Sequence, residues 1–347
     1  MNSINTYHFG GNITTLEPLT VSIAKPTSKG HQMPRNNGIP YFPSSSLVGA
    51  LRSAGCKFVI DALAKKDSKL DLNSVYSICQ GYVVDNKVSE AIQKSKTATP
   101  IDEDDALREV NPLLSVFGRW GLAGKFGVGS AYASTEEQVQ SFDGGFRTDI
   151  FERDESLLET LDPTDVQRYF ELTRGQSEVA VDVGELKKQK TALTKKLRTA
   201  SEEDIVVIRG QIEKIDQDIK ATKEERGEGK ETIRRPIDSM EAIVANTKLS
   251  HRMTLKRASL VELGVALYSI ANFSRSAQLG GKARHNWGRV EAEWTVRVPQ
   301  EDFTNKVIGK VGFNENGFFI EGEILEKAMK EFMTAFEEGK FDFTRVI

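Results

Sequence analysis

The chain has 347 residues, with 47 Lys and Arg against 50 Asp and Glu, a formal net charge of −3 and an apolar fraction of 39%. It is long enough to bury a core, and its near-neutral balance excludes an indiscriminate polycation that coats nucleic acid. No run approaches the ~20 apolar residues of a membrane span, the N-terminus lacks a signal pattern, and two cysteines without a CxxC exclude a disulfide framework or structural zinc site, so the cytoplasm is the expected compartment.

In chain order, "TYHFGGNITTLEPLTVSIA" alternates as a strand or hairpin, with Gly10-Gly11-Asn12 at a bulge or turn. Lys25 to Asn37 reads as a polar loop with no Asp or Glu. In "NNGIPYFPSSSLVGALRSAG" three serines precede a helix whose apolar face carries Leu47, Leu51, Phe58, Val59, Ala62 and Leu63. Leu72 to Asn111 reads as helical pieces, with "IDEDDALRE" a solvated acidic face rather than a pair of catalytic carboxylates. "NPLLSVFGRWGLAGKFGVGSAYAS" is glycine-rich but lacks the GK[ST] of a phosphate-binding loop, so it reads as a loop leading into a strand.

Gly184 to Gly229 differs in composition and spaces Ile205, Ile208, Ile212, Ile215 and Ile219 three or four apart after a capping box at Ser201 to Asp204. It predicts an inserted helical hairpin, either a self-packing solvated arm or a docking arm. "ASLVELGVALYSIANFSRSAQLGG" predicts an amphipathic helix stopped by Gly280-Gly281, and "RVEAEWTVRV" a half-buried antiparallel strand. The order of elements predicts an α+β fold, an antiparallel sheet with helices on one face.

The charge is uneven. Met1 to Ile60 holds five Lys/Arg against one acid, and Arg234 to Arg297 holds eleven against five. Chance clustering is one reading; a single basic surface is the other. Within the second segment, "LGGKARHNWGRV" joins Gly280 and Gly281, which admit close approach, to Lys282, Arg284, His285 and Arg289 and to a stacking face, Trp287. Basic groups with an interleaved aromatic suit a ribose-phosphate backbone, although a plain basic turn with a core tryptophan fits the same letters. A helix start exposes unpaired N–H groups, so Ser44, Ser45 and Ser46 are candidates for capping and for phosphate contact, with Arg52 two turns on. The four histidines are scattered and no nucleophile motif stands out, so neither catalytic residues, a metal nor a cofactor is expected.

"GIPYFPSSSLVGALRS" resembles the helix-start signature of the RAMP superfamily of class 1 CRISPR systems, and "LGGKARHNWGRVEAEW" resembles that superfamily's glycine-rich loop and following strand. "LTVSIA" and "LLSVFG" are similar to two further elements, in the same order. The long interval between "LLSVFG" and the glycine loop, with its inserted arm, resembles the Cas-seven group of CRISPR-RNA-binding backbone subunits; the arm, together with the absence from "SSSLVG" of the Lys many relatives carry there, resembles most nearly those of type IV.

The resemblance implies a ferredoxin-like, RRM-related palm (1–170 and 240–347) and a thumb region (171–239) containing the charged hairpin 184–229. It implies RNA contacts at Ser44, Ser45, Arg52, Gly280, Gly281, Lys282, Arg284 and Arg289, and by approximate position at Arg234 and Arg235. Implied partners are CRISPR RNA, a target DNA or RNA, further copies in a head-to-tail filament and other effector subunits, with no membrane partner, in an antiviral ribonucleoprotein. Target-cutting relatives use an aspartate in the loop before the helix motif; the acid-free loop Lys25 to Asn37 implies no cleavage. The rival expectation is an RNA endonuclease of the same superfamily, and a weaker one a small-ligand-binding ferredoxin-like protein.

Overall fold

A computed structural model of the chain describes residues 4–21, 31–66, 70–82, 101–142, 146–147, 155–197, 202–224, 235–236 and 239–346. In chain order its elements are β1 (Asn5–Thr15), β2 (Arg35–Asn36), β3 (Ile39–Phe42), α1 (Ser44–Lys66), α2 (Leu72–Gln80), α3 (Ile101–Val110) and α4 (Pro112–Phe117). Next come β4 (Phe126–Val128), β5 (Ala131–Tyr132), β6 (Val139–Phe142), β7 (Phe146–Arg147), α5 (Pro163–Leu197), α6 (Glu202–Glu224) and β8 (Arg235–Pro236). The chain closes with β9 (Met240–Ile243), β10 (Lys248–Ala258), α7 (Leu260–Ser274), β11 (Val290–Pro299), β12 (Asn305–Asn314), β13 (Gly317–Glu321) and α8 (Glu323–Glu337). The fold is mixed α+β around an antiparallel sheet, as the alternation of strand and helix signals predicts.

The chain divides into two compact units, Met1–Asp143 with Ser239–Ile347, and Gly144–Asp238. The division expected at 170 and 171 does not hold at its first edge. α5 runs unbroken for 35 residues through that point, and also through Gly184, where the hairpin was expected to begin.

In the first unit nine strands join in the order β13-β12-β11-β1-β10-β5-β3-β2, with β4 also on β10. β1 pairs antiparallel with both β10 and β11, so the three long strands form the middle. β1 passes straight through Gly10-Gly11-Asn12, in register with β10 from Tyr7 to Thr14. No turn forms there, because ladder bonds on both sides hold the glycines extended. Strict alternation places Tyr7, Phe9 and Ile13, Leu249, Met253 and Leu255, and Ala292, Trp294 and Val296 on one buried face. These residues share a core with Leu47 and Leu51 of α1, Leu263 and Leu267 of α7 and Phe332 of α8. Each such side chain contributes roughly 1.5–3 kcal/mol by leaving water.

α7 starts on a capping box: Ser259 Oγ accepts from the Glu262 N–H, and Glu262 accepts from the Ser259 N–H at 2.8 Å. Glu262 also binds Lys125 Nζ at 2.6 Å and accepts the Ser115 hydroxyl, so one buried carboxylate ties α7 to the segment around α4. The helix ends at Ser274 rather than at Gly280, closed by Arg275, whose N–H returns to the carbonyls of Asn272 and Phe273. "NPLLSVFG" forms α4, a short helix capped by Asn111 and ended by Gly118.

The second unit holds α5 and α6 as a helical hairpin with Val183 and Ile215 buried and Lys190 bridged to Asp216 at 2.5 Å. Exposed Phe170 and Val207 accompany a mostly charged surface. Its β7 and β8 pair Phe146 with Pro236 and Arg147 with Arg235. Ser201, the first residue of the expected capping box, lies outside the described residues.

Candidate functional site

The loop after α7 is shaped by three close approaches. Leu279 N–H donates to the Gly288 carbonyl (2.9 Å), Gly288 N–H to the Pro18 carbonyl (2.8 Å) and Gly281 N–H to the Thr20 carbonyl (3.0 Å). Only glycine fits two of these positions. Gly280 has φ +73°, and a Cβ there would lie 2.1 Å from the Thr20 oxygen and 3.2 Å from the Phe42 ring. A Cβ at Gly288 would lie 1.8 Å from the Leu279 oxygen. Between them Ala283–His285 makes one tight helical turn, with Lys282 and Asn286 both left-handed. Gln278 braces that turn by donating to the carbonyls of Ala283 and Trp287 (both 3.1 Å).

The result is a fixed, bulging platform on which Arg284, His285 and Arg289 are exposed and Lys282 half-exposed. Among the described residues none of Lys282, Arg284 and Arg289 has a side-chain hydrogen bond or a carboxylate partner. Trp287 does not offer an open face. It is half-buried and meets Phe142 edge-on, with ring centroids 4.9 Å apart, which makes it a packing residue of the loop's base.

Through Phe42 the glycine loop meets the stretch that leads into α1. None of the three serines is the N-cap: the helix begins at Ser44, and the Pro43 carbonyl accepts from the N–H groups of Ser46 and Leu47 (both 3.1 Å). The Ser44 N–H is accepted by Ser130 Oγ at 3.1 Å. Ser45 is exposed, and Ser44 and Ser46 are partly so, at a helix terminus that carries partial positive charge. Two segments more than two hundred residues apart in the chain thus share one end of the fold. Arg52 points elsewhere: its Nε donates to the Cys79 carbonyl at 3.0 Å, at the C-terminal end of α2, so it joins α1 to α2. Arg234 lies outside the described residues, and Arg235 belongs to β8 of the other unit.

Beneath the same helix the Cys56 thiol is buried and donates to the Ile78 carbonyl (3.4 Å); burial pushes it well above the ordinary thiol range, so it is no nucleophile. His251 is buried too. Its Nδ1 accepts from Trp294 Nε1 (3.1 Å) and its Nε2 lies 3.0 Å from the Gly129 carbonyl, which requires a proton on Nε2 and none on Nδ1. Desolvation lowers its pKa to about 4, so it is a neutral core residue at ordinary pH. Among the described residues no group of three or more His, Cys, Asp or Glu is arranged to hold a metal ion, and no helix is long and apolar enough to cross a membrane.

Sequence reasoning missed the acid nearest the loop before α1. Within His31 to Asn37, the described part of that loop, Glu241 of β9 accepts from the Met33 N–H (2.9 Å) and from the Arg35 guanidinium (2.8 Å). That bond raises the Arg35 pKa. The carboxylate comes from a strand two hundred residues away, so no local signal announces it. It is held in an ion pair with Arg35 at 2.8 Å.

Neither models of protein families nor characterised proteins match this chain.

Proposed function

We propose that the protein is a non-catalytic RNA-binding backbone subunit of a class 1 CRISPR ribonucleoprotein, of the Cas-seven group and nearest to type IV, built on a ferredoxin-like palm. The observation that carries this reading is the approach of Gly280 to Phe42, two residues before Ser44, which brings together the segment entering α1 and a loop whose Lys282, Arg284 and Arg289 have no side-chain partner among the described residues. The order β11-β1-β10-β4, with helices α1 and α7 in the crossovers, is compatible with that palm. Phosphate contacts from Lys282, Arg284, Arg289 and the Ser44–Ser46 terminus would grip the strand without reading its sequence, leaving recognition to base pairing of the guide. Arg52 and Trp287 are better explained by their packing partners than by RNA. Copies would associate head-to-tail, since a heterologous contact that does not close extends along a strand.

The purified protein is expected to load RNA of increasing length in regular multimeric steps, with strong salt dependence, by native mass measurement. Sequence-specific binding of one protein to one RNA overturns the reading. Guide-loaded protein given complementary RNA and a divalent metal is expected to leave it intact, because Glu241 is committed to Arg35 and Met33; regularly spaced fragments would favour the endonuclease instead.

A further inference from the structure

Among the described residues the face of the central sheet turned away from the core is open, and over β1 it sinks into a trough of about 470 Å³. Its floor is the backbone of Gly10 and Gly11, and its rim carries His8 and Thr254, Arg252, Arg297 and Asn305. Register places these side chains around one point: Gly10 pairs with Arg252 on one side, and His8 pairs with both Thr254 and Arg297.

Gly10 itself is the informative residue. Glycine inside a strand costs roughly 0.5–1 kcal/mol relative to alanine, so a mid-strand glycine calls for a reason. Gly11 has one in the fold, since a Cβ there would lie 1.9 Å from the Glu293 carbonyl oxygen. Gly10 has none among the described residues, of which its Cβ would meet only the far end of Arg297, at 3.4 Å. What the missing side chain leaves free is the trough.

The charges around it are likewise unspent. Among the described residues the side chain of neither Arg252 nor Arg297 has a carboxylate or hydrogen-bond partner. The nearest acid further along that face of β11, Glu293, is bridged to Lys310 at 3.3 Å. Arg252, exposed, is continued along β10 by Lys248 and Lys256, both exposed on the same face.

We propose that this trough binds a phosphate-bearing, nucleotide-sized group, lying over Gly10 with its phosphate between Arg252 and Arg297. The volume suits one nucleotide, two guanidinium groups suit the bidentate geometry of phosphate, and the glycine floor admits the close approach. The site is distinct from the glycine loop: Arg297 stands seven residues along β11 from Val290, roughly 23 Å at strand spacing. It rests on its own geometry and does not depend on the function proposed above.

The test is fluorescence anisotropy on the full chain with a labelled five-nucleotide uridine RNA, and uridine 5′-monophosphate and inorganic phosphate as competitors. It compares wild type, Gly10→Val and Arg252→Ala/Arg297→Ala, each also carrying Lys282→Ala/Arg284→Ala. Gly10→Val plugs the trough and removes no charge, so its thermal midpoint should not fall below that of wild type while RNA binding weakens about tenfold; the arginine pair should lose at least as much. Those losses should persist when the loop cations are absent. Competition by the mononucleotide identifies a free nucleotide as occupant; RNA binding that neither the mononucleotide nor phosphate displaces identifies a strand. Binding within twofold of wild type in both trough variants, or failure of the wild-type chain to bind either RNA or nucleotide in the loop-depleted background, overturns the proposal.

Discussion

Gly10 and Gly11 are adjacent in β1 and belong to opposite faces of one sheet. On the core face the buried histidine is partnered at both ring nitrogens: His251 sits between Trp294 and the Gly129 carbonyl, and β11 comes so near Gly11 that no side chain fits. On the open face Arg252 and Arg297 stand unpaired around a glycine that packing does not require. Burial forces polar groups into satisfied networks, so a buried histidine reports on stability. Solvent imposes no such discipline, and unpaired charges gathered over a hollow point to a ligand.

The largest break in this contrast is Gly11→Val. Its side chain would drive into the β11 backbone, and a cost on the order of 4 kcal/mol or more, enough to abolish cooperative unfolding in a marginal domain, is expected in chemical denaturation. Next comes pH. The His251 pKa is depressed from 6.5 to about 4 in the folded state, so its contribution is fully present above pH 6.5 and is lost as pH falls toward 4. The whole change amounts to roughly 3 kcal/mol. Urea melts between pH 7 and 4.5 should show wild-type stability falling more steeply than that of His251→Gln by about one proton. Equal slopes would mean that the imidazole is not held neutral.

Alternation alone gives β11, because one-sided burial writes itself at every second residue of "RVEAEWTVRV". The α7 helix was equally legible, whereas its capping box went unread and its end was misplaced: Gly280-Gly281 looked like a stop, but Gly280 answers to Thr20 and Phe42, contacts no local pattern encodes. The same limit explains Gly10-Gly11, where a turn was expected and ladder partners on both sides keep the strand straight. Lys282, Arg284 and Arg289 were singled out because they cluster in sequence. Arg252 and Arg297 were not, since 45 positions separate them and only register brings them to Gly10. For Arg52 and Trp287 the residue type was suggestive, but packing had claimed both.

The loop cations sharpen the comparison at a second open surface. Lys282→Ala with Arg284→Ala should leave the unfolding midpoint unchanged, because neither side chain has a partner among the described residues. Each lost phosphate contact should flatten the slope of log affinity against log salt by about one, so the pair is expected to lower it by about two. An unchanged slope would remove these residues from the interface.

The smallest effect is the most discriminating. If Gly10 is kept for the hollow and not for the fold, filling it should help folding. Gly10→Ala removes backbone freedom from the unfolded chain and adds a Cβ where only the mobile end of Arg297 stands, at 3.4 Å. A gain of roughly 0.5–1 kcal/mol is expected from urea denaturation at neutral pH. Because Gly11→Val, one residue away, tests the same strand with the opposite expected sign, the two together separate a glycine that packing demands from one that it does not. A destabilised Gly10→Ala would mean that the open face carries a structural constraint of its own.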